Sequence, residues 1–383
     1  MKIVLMFPYL HSSPSRAREV LSSTKVQVLS SEHDVVYAGL TKDSIENLKS
    51  VYNIESVFQD FHPVRKGKLA LFFYTFFYLL KHNVDVIYER ASHIPIGLIL
   101  AIFFRKKYVT DAHLLSINSS PKSKKYRNLY RMIDLIRFKT SSIIVGNFES
   151  QVKAIELVLG KKYDNTINLG PYIDSHKFHP IPRKLAKKKL GIQRDYLSYI
   201  GSFDYDHKPE FIISSFEILC KNYDYVDLFM VGSGPKLEFL RGLVNSLGIN
   251  DRVCFTGRVD NSLVPLYIAG SLFCINPTIT PRNKIVGLIG DKSLEYASCG
   301  KVQLVPSLSG ISKELSKING AIQVGDTSKP ENLAKAASFL IENPSVCNKM
   351  GQNARAKIEQ DWNILMYKKI LLKSLSEIAN NRK

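Results

Sequence analysis

The chain has 383 residues, 45% of them hydrophobic and 23% charged. A single hydrophobic core rarely exceeds roughly 250 to 300 residues, so we expect two domains. Its formal net charge is +19, but the first 180 residues hold 25 basic and 15 acidic side chains and the remainder 28 and 19, which excludes a separate basic module. The five cysteines form no CxxC pair and have no histidine at zinc spacing, so we interpret them as reduced thiols and expect no metal site.

The first half of the chain alternates short β-branched segments with stretches long enough for a helix. Its N-terminal segment, MKIVLMFPYL, has one lysine, a short apolar run and then a proline, which predicts a first strand rather than a signal peptide and therefore a cytoplasmic protein. Strands are predicted at residues 3–6, 35–38, 85–88, 108–110 and 143–145. This alternation is typical of βαβ units and predicts a parallel sheet.

One apolar segment of the first half allows two interpretations. Residues 69–80, LALFFYTFFYLL, are apolar on all sides at helical spacing, lie between basic residues, and are too few for a membrane span of about 20 residues. All-round apolarity favours a buried crossover helix over an interfacial anchor. The segments 94–107 and 122–139 also combine apolar and basic residues, so contact of the N-terminal domain with the inner face of the cell membrane remains an alternative.

The same alternation resumes after a segment rich in proline and lysine. Strands are predicted at residues 196–200, 227–231, 253–256, 272–275, 302–305 and 321–324. The expected fold is α/β, with two doubly wound Rossmann-like domains facing a cleft. We expect an N-terminal domain over 1–180, a C-terminal domain over 181–360, and a last helix over 361–383 that crosses back to the N-terminal domain.

Ligands of open parallel sheets bind beyond the carboxyl ends of the strands, so the loops after the strands of the second half are candidate site segments. After the first of them, GSFDYDHK ends in Lys208, whose ammonium suits a phosphate. The second is followed by GSGP, in which Gly234 permits close approach of a ligand, although a simple tight turn explains it equally well. Arg258 follows the third strand.

The segment over residues 277–305 carries the strongest local pattern. A loop rich in proline and glycine leads into DKSLEYASCGK, which predicts a short helix followed by a strand. The start of this helix at Gly290 and Lys292 offers unpaired N–H groups to a diphosphate. Glu295, one turn further, can accept hydrogen bonds from the two hydroxyls of a ribose, but an ordinary surface glutamate explains its position equally well.

From Tyr199 to about Trp362 the sequence resembles the donor domain of GT-B glycosyltransferases of family 4. The resemblance rests on an ordered set of segments: YIGSFDYDHKPEFIISSFEIL, LFMVGSGPKLEFL, LGINDRVCFTGRV, LFCINPT, KSLEYASCGK and NGAIQVGDTSKPENLAKAASFLIENPSVCNKMGQNARAKI. INLGPYIDSHKFHP resembles the end of the family's N-terminal domain, and IYER and VTDAH are similar to it more loosely.

The resemblance implies a role for several residues. Glu295 matches the second glutamate of the family's paired-glutamate motif, which binds the donor ribose. Lys208 matches the lysine that neutralises the donor diphosphate, and Gly290 lies at the helix start whose amides do the same. His113 resembles the histidine that faces the reacting sugar and the acceptor, and would be the catalytic candidate, although a satisfied structural histidine is the alternative.

The sequence also departs from the family at several positions. Gly287 replaces the first glutamate of the motif, and Ser202 replaces the arginine that accompanies Lys208. The glycine pair that approaches the donor corresponds loosely to Ser12 and Ser13, with Arg16 close behind. The positive charge missing at Ser202 has four candidate sources in other loops: Arg258, Arg282, Lys284 and Lys292.

The resemblance implies a retaining, metal-independent glycosyltransferase that moves a sugar from a nucleotide-sugar substrate, with no separate cofactor, to a lipid-linked or growing surface polysaccharide such as O-antigen, capsule or lipopolysaccharide. A GT-B epimerase or a sugar-phosphate synthase would use the same donor site differently. A basic nucleic-acid-binding protein is a third class, but it predicts a concentrated basic stripe with interleaved aromatic residues, which the even distribution of charge does not favour. We therefore expect a nucleotide-sugar, a saccharide acceptor and an anionic membrane surface as partners, and no nucleic acid.

Overall fold

A computed structural model of the chain describes residues 1–7, 28–39, 55–56, 67–92, 94–112, 126–205, 207–277, 279–280, 283–284, 287 and 290–380. The contacts between its Cα atoms divide the chain into two compact units. One comprises Met1–Gly170 and Lys368–Lys383, and the other comprises Pro171–Tyr367.

The first unit is built on a seven-stranded parallel sheet. Its strands are β1 (Lys2–Phe7), β2 (Asp34–Gly39), β3 (Glu55–Ser56), β4 (Val86–Arg90), β5 (Lys107–Asp111), β6 (Ile143–Gly146) and β7 (Thr166–Asn168). They lie in the order β3-β2-β1-β4-β5-β6-β7. The five predicted strands of this half are all confirmed. The two that sequence did not predict, β3 and β7, have only two and three residues and therefore carry no periodic pattern.

The helices described in the first unit are α1 (Gly67–Lys81), α2 (Ile96–Phe103), α3 (Arg127–Thr140) and α4 (Glu149–Leu159). The interpretation of the apolar segment 69–80 as a fully buried helix is wrong. Leu71 and Leu79 are buried in the core of the unit, but the opposite side of α1 is open to solvent, with Phe73 48% and Phe77 54% exposed. The reason is that only one stripe of a helix, here the one that holds Leu71 and Leu79, reaches the core, whereas apolar side chains lie on every side of α1.

The second unit repeats the plan with six parallel strands. These are β8 (Asp195–Ile200), β9 (Val226–Val231), β10 (Val253–Gly257), β11 (Cys274–Ile275), β12 (Gln303–Pro306) and β13 (Ala321–Val324), in the order β10-β9-β8-β11-β12-β13. Every strand predicted in this half is confirmed. All residues of β12 are buried, as expected for a parallel strand that is covered on both faces.

The helices of the second half are α5 (Arg183–Leu190), α6 (Pro209–Cys220), α7 (Leu237–Ser246), α8 (Val264–Gly270), α9 (Asp291–Ser298), α10 (Ile311–Lys317), α11 (Pro330–Glu342), α12 (Pro344–Asp361) and α13 (Ile364–Asn380). Proline occupies the first position of α6, α11 and α12, where its missing N–H costs nothing. α5 ends at Gly191, whose φ of 70° is a left-handed conformation that glycine adopts readily.

The boundary between the units lies at residue 170 and not at the expected residue 180. Residues 171–180 are hydrogen-bonded to later parts of the second unit. The backbone N–H of Ile173 donates to the carbonyl of Trp362 at 3.2 Å, and the carbonyl of Phe178 accepts from Ser298 Oγ at 2.5 Å. The last helix, α13, contributes its residues from Lys368 onward to the first unit.

The strand order of the second sheet reverses direction between β8 and β11. The chain runs from β8 outward to β9 and β10, and then returns to the other side of β8 to continue with β11 and β12. The loops after β8 and β11 therefore diverge and leave a crevice, which is where open parallel sheets bind ligands. This crevice lies between the loop that begins at Gly201 and the helix α9.

Candidate functional site

The loop after β8 approaches the loop after β9 at backbone distance. The N–H of Gly201 donates to the carbonyl of Val231 at 2.9 Å, and that of Phe203 donates to the carbonyl of Ser233 at 3.1 Å. A Cβ atom on Gly234 would lie 2.5 Å from the Phe203 carbonyl oxygen, and a Cβ on Gly232 would overlap the carbonyl of Gly201. Because these close contacts require glycine, the loops form a continuous backbone surface at this end of the sheet.

Helix α9 is fixed against this surface by buried polar contacts. The hydroxyl of Tyr296 accepts a hydrogen bond from the N–H of Ile200 at 3.0 Å, which joins the helix to the end of β8. Ser293 is held on the other side, since its Oγ accepts from Asn276 Nδ2 at 2.9 Å and its carbonyl accepts from Gln303 Nε2 at 2.8 Å. The helix start is therefore held in place relative to both β8 and β12.

The Lys292 side chain extends from the first turn of α9 to the loop after β8. Its Nζ donates to the hydroxyl of Tyr199 at 3.2 Å and lies 4.7 Å from the centre of the same ring. The side chain is half-buried, and a Cβ atom on Gly201 would overlap its ammonium group. Burial lowers the pKa of Lys292 to about 8, while the carboxylates of Asp204, Glu295 and Asp291 act in the opposite direction.

Glu295 lies one turn further along α9. No described residue makes a hydrogen bond or an ion pair to its carboxylate, and burial, followed by the charge of Asp291, raises its pKa to about 7. The positive charges of Lys177 and Lys292 oppose that rise. The carboxylate is therefore half-buried, short of hydrogen-bond donors and available to the hydroxyl groups of a ligand.

The other predicted donor-site residues of the second unit lie at loops after the strands, but the structure does not bring all of them to Glu295. Lys208 begins α6 in a left-handed conformation, with φ 46° and ψ 51°, and its exposed side chain contributes to the low pKa of Asp326, which hydrogen bonds from Ser328 chiefly cause. Arg258 is exposed, and its side chain makes no hydrogen bond or ion pair within the described part of the chain. Gly234 belongs to the backbone surface after β9.

The absence of a side chain at Gly287 has a structural reason. Its φ is +79°, and a Cβ atom there would lie 2.6 Å from both the carbonyl carbon and Oγ of Ser309. A glutamate at this position would therefore require the loop to change its backbone conformation. Gly287 instead packs directly against the turn that follows β12.

Five residues that the sequence analysis assigns to the site lie outside the described residues: His113, Ser12, Ser13, Arg16 and Arg282. Sequence reasoning missed Tyr199 and Lys177, which contact the ammonium of Lys292 and influence the carboxylate of Glu295, respectively. In the sequence, Tyr199 looks like any core residue of a strand. The only signal for Lys177 is a basic residue directly before the segment FHP. Within the part of the chain that the structure describes, no three His, Cys, Asp or Glu side chains are grouped so that they could hold a metal ion.

Comparison with known proteins adds a family match to this geometry. Residues 182–357, which include β8 to β13 and helix α9, match the family model described as glycosyl transferases group 1. The N-acetyl-alpha-D-glucosaminyl L-malate synthase of Bacillus anthracis is 25% identical over 60% of this chain and 58% of its own length. An uncharacterized glycosyltransferase of Methanocaldococcus jannaschii is 24% identical over 81% of this chain and 80% of its own. The match to the Bacillus anthracis enzyme thus covers little more than half of that enzyme's length.

Solved structures show the fold. HepE of Anabaena, crystallised in complex with UDP, has a TM-score of 0.78 and 17% identity over 98% of this chain and 100% of its own. A further crystal structure of HepE contains UDP-glucose. The prediction of two doubly wound α/β units of the GT-B class is confirmed, and the family match and the named relatives support a GT-B glycosyltransferase.

Proposed function

We propose that this protein is a glycosyltransferase that transfers a sugar, with retention at the anomeric carbon, from a nucleotide-sugar to a lipid-linked or growing surface polysaccharide. The observation that carries the proposal is the pair formed by Lys292 and Glu295. It places a cation and an unbonded carboxylate one turn apart at the switch point of the second sheet, inside the segment that matches the group 1 family.

The carboxylate of Glu295 suits the ribose of the donor. It has no hydrogen-bond donor among the described residues, and two vicinal hydroxyls would supply two donors to its two oxygen atoms. Hydrogen bonds that stabilise the ionised form lower the pKa of a carboxyl, so ribose binding would return Glu295 toward its ordinary value of 4.5. The nearby charge of Lys177 acts in the same direction.

The start of α9 suits the diphosphate. Gly290 precedes the helix in an extended conformation, and the N–H groups of the first turn together with the helix dipole favour an anion. Negative charge develops on the diphosphate when its bond to the sugar breaks, and fixed positive groups stabilise that charge without a metal ion. Lys208, whose ammonium is exposed, would provide a further cation.

A membrane-bound acceptor is supported by a surface of the first unit that we call the aromatic-basic face. It consists of exposed side chains of α1 and α2: Leu69, Phe73, Phe77, Leu80, Ile99, Ile102 and Phe103. The two helices pack together through Phe76 and Phe103, whose ring centres are 5.4 Å apart. Exposed Lys81 and Arg105 lie at their C-terminal ends, and such a combination suits the interface of an anionic bilayer. No helix among the described residues is long and apolar enough to cross a membrane.

Donor binding and transfer test the catalytic proposal. A panel of nucleotide-sugars is screened by thermal shift, and the stabilising donor is then incubated with lipid-extracted acceptors while the bound and free sugar are measured. We expect one nucleotide class to raise Tm and its sugar to appear on the acceptor with the same anomeric configuration. Epimerised sugar without transfer, or transfer only to an added sugar phosphate, would instead indicate the alternative GT-B activities, and the absence of any stabilising nucleotide would reject the donor site.

Sedimentation with lipid vesicles tests the aromatic-basic face. We expect the protein to bind vesicles that contain phosphatidylglycerol and to be released by salt, while vesicles of phosphatidylcholine alone bind it weakly. The double variant Phe73→Ser, Phe77→Ser should lose most of this binding. Leu157→Ser, which changes a 77% exposed residue of α4 in the same unit, should not. Equal binding of both variants to anionic vesicles would reject this face.

A further inference from the structure

The Lys292 ammonium lacks an anionic partner at ion-pair distance in the described structure. Its only hydrogen bond there goes to the neutral hydroxyl of Tyr199, at 3.2 Å. Tyr199 in turn donates to the carbonyl of Ser202 at 2.9 Å, so its hydroxyl hydrogen is already engaged in the loop after β8. A half-buried cation without a counter-ion is costly, because the ammonium loses part of its hydration and its contacts in the protein do not restore the lost free energy.

The charged groups around Lys292 explain why it nevertheless stays in place. Asp204 acts on it from the loop after β8, and Asp291 and Glu295 act on it from α9. Asp204 is itself engaged by His207, whose Nδ1 lies 2.6 Å from its carboxylate. Burial opposes ionisation of Asp204, but the hydrogen bond and charge of His207 and a hydrogen bond from Ser202 lower its pKa. These carboxylates lie near Lys292 without neutralising it.

The other cations available to this end of the sheet are placed differently. Arg258 and Lys284 are both exposed, and neither side chain makes a hydrogen bond or an ion pair within the described ranges. Arg282 lies outside the described residues. Lys208 is exposed and acts on Asp326 beyond β13. Of the described basic side chains, Lys292 is the one whose ammonium lies in the crevice between Gly201 and α9.

We infer that Lys292 binds the diphosphate of the donor directly, from helix α9, and supplies the positive charge that the neutral Ser202 cannot provide from the loop after β8. This inference rests on the proposed function and assigns the diphosphate contact to one side chain. The ammonium would exchange its hydrogen bond to Tyr199 for oxygen atoms of the diphosphate, which are stronger acceptors.

A consequence of this assignment is proton uptake. Because the pKa of Lys292 is about 8 in the free protein, the side chain is mostly neutral at pH 8.5. A bound diphosphate favours the ammonium form, so Lys292 would take up about 0.8 proton on average from solvent as the complex forms at this pH. An arginine in the same position stays charged throughout and would take up none.

Isothermal titration calorimetry with UDP and GDP tests this inference. The nucleotide that the wild type binds is titrated at pH 8.5 into protein in buffers of different ionisation enthalpy, which gives the number of protons exchanged. We expect uptake by the wild type, no uptake with Lys292→Arg at an affinity within a few-fold of the wild type, and about 10- to 100-fold weaker binding with Lys292→Met. Lys335→Met, which changes an exposed lysine of α11, is the matched control and should bind normally.

A second variant pair separates charge from structure. Addition of Ser202→Arg to Lys292→Met places a cation on the opposite side of the same crevice and should recover at least part of the lost affinity. Unchanged affinity of Lys292→Met, or proton uptake that persists in Lys292→Arg, would overturn the assignment while leaving the donor site intact. A wild type that binds neither UDP nor GDP nor any other nucleotide of the thermal-shift panel would instead contradict the proposed function itself.

Discussion

Each unit places a glutamate near the carboxyl end of a central strand or on the helix beside it, but the two carboxyl groups have different surroundings. Glu89 of β4 is fully buried; it accepts a hydrogen bond from Tyr108 Oη at 2.5 Å and another from the N–H of Gly97 at 2.9 Å. Burial raises its pKa, and the charge of Arg137 and the hydrogen bond from Tyr108 oppose that rise. Glu295 of the second unit is only half-buried and has no such bonds among the described residues.

The difference separates a structural polar network from a binding site. Arg137 completes the network of the first unit, because its guanidinium donates to the carbonyl of Ser92 at 2.7 Å and pairs with Asp134 at 3.2 Å. Buried polar groups that hydrogen-bond to one another stabilise the fold. Polar groups that are held in place without hydrogen-bond partners lower the stability, and a ligand that supplies the partners restores it. The two networks should therefore respond to mutation with opposite signs.

The largest expected effect is on the network of the first unit. Arg137→Met leaves Glu89 and Asp134 buried without their cation, and we expect it to lower the free energy of unfolding by about 3 to 5 kcal/mol. Urea unfolding followed by circular dichroism measures the loss. Arg131→Met, an exposed position on the same helix, should change the free energy by less than about 0.5 kcal/mol. Equal stability of the two variants would remove the contrast between the units.

A smaller effect of the opposite sign is expected at Glu295. Its pKa is about 7 in the folded protein and 4.5 without the protein environment, so the ionised carboxylate costs stability that grows between pH 4.5 and 7 and is constant above. Glu295→Gln should therefore raise the free energy of unfolding by about 1 to 3 kcal/mol at pH 8, a range that is reduced because solvent reaches part of the carboxylate. At pH 4 the substitution should leave the free energy of unfolding unchanged. Urea unfolding at the two pH values measures the difference, and a gain independent of pH would contradict it.

The same variant should weaken binding of the nucleotide at least about tenfold at pH 8, because a charged acceptor of the ribose hydroxyls is lost. In the wild type, affinity should fall below pH 7 as Glu295 is protonated and above pH 8 as free Lys292 loses its proton, with a maximum between these values. Nucleotide titration from pH 5.5 to 9.5 measures this profile. A flat profile would show that neither group contacts the ligand.

The smallest effect concerns the loop beside the site. Gly287→Ala places a Cβ atom 2.6 Å from Ser309 at a φ of +79°, and we expect it to destabilise the protein by about 1 to 2 kcal/mol. Gly242→Ala, inside α7 with no atom within 4 Å of the new Cβ, should stabilise it by about 0.5 to 1 kcal/mol. Differential scanning calorimetry measures the change in stability of both variants. A stabilising Gly287→Ala would show that the loop adopts another conformation.

The sequence predicted most of the scaffold because hydrophobic pattern determines it. All eleven predicted strands are present, and the helix that carries Glu295 begins and ends close to where glycine and periodicity place it. The contact of Lys292 with Tyr199 could not be predicted, because it joins side chains from two elements that are far apart in the chain. The exposure of Phe73 and Phe77 could not be predicted either, since apolar residues on every side of a helix leave the buried side undefined.

The glycine contacts after β8 and β9 limit how this site can be changed. Gly232 and Gly234 allow two loops to touch through their backbones, and any larger residue there would force the loops apart. A larger residue at Gly201 would instead displace the ammonium of Lys292. A designer who wishes to alter donor selectivity cannot introduce side chains from this floor of the crevice. Directed evolution should therefore recruit substitutions at Ser202, and libraries randomised at the three glycines should return almost only the parental residues.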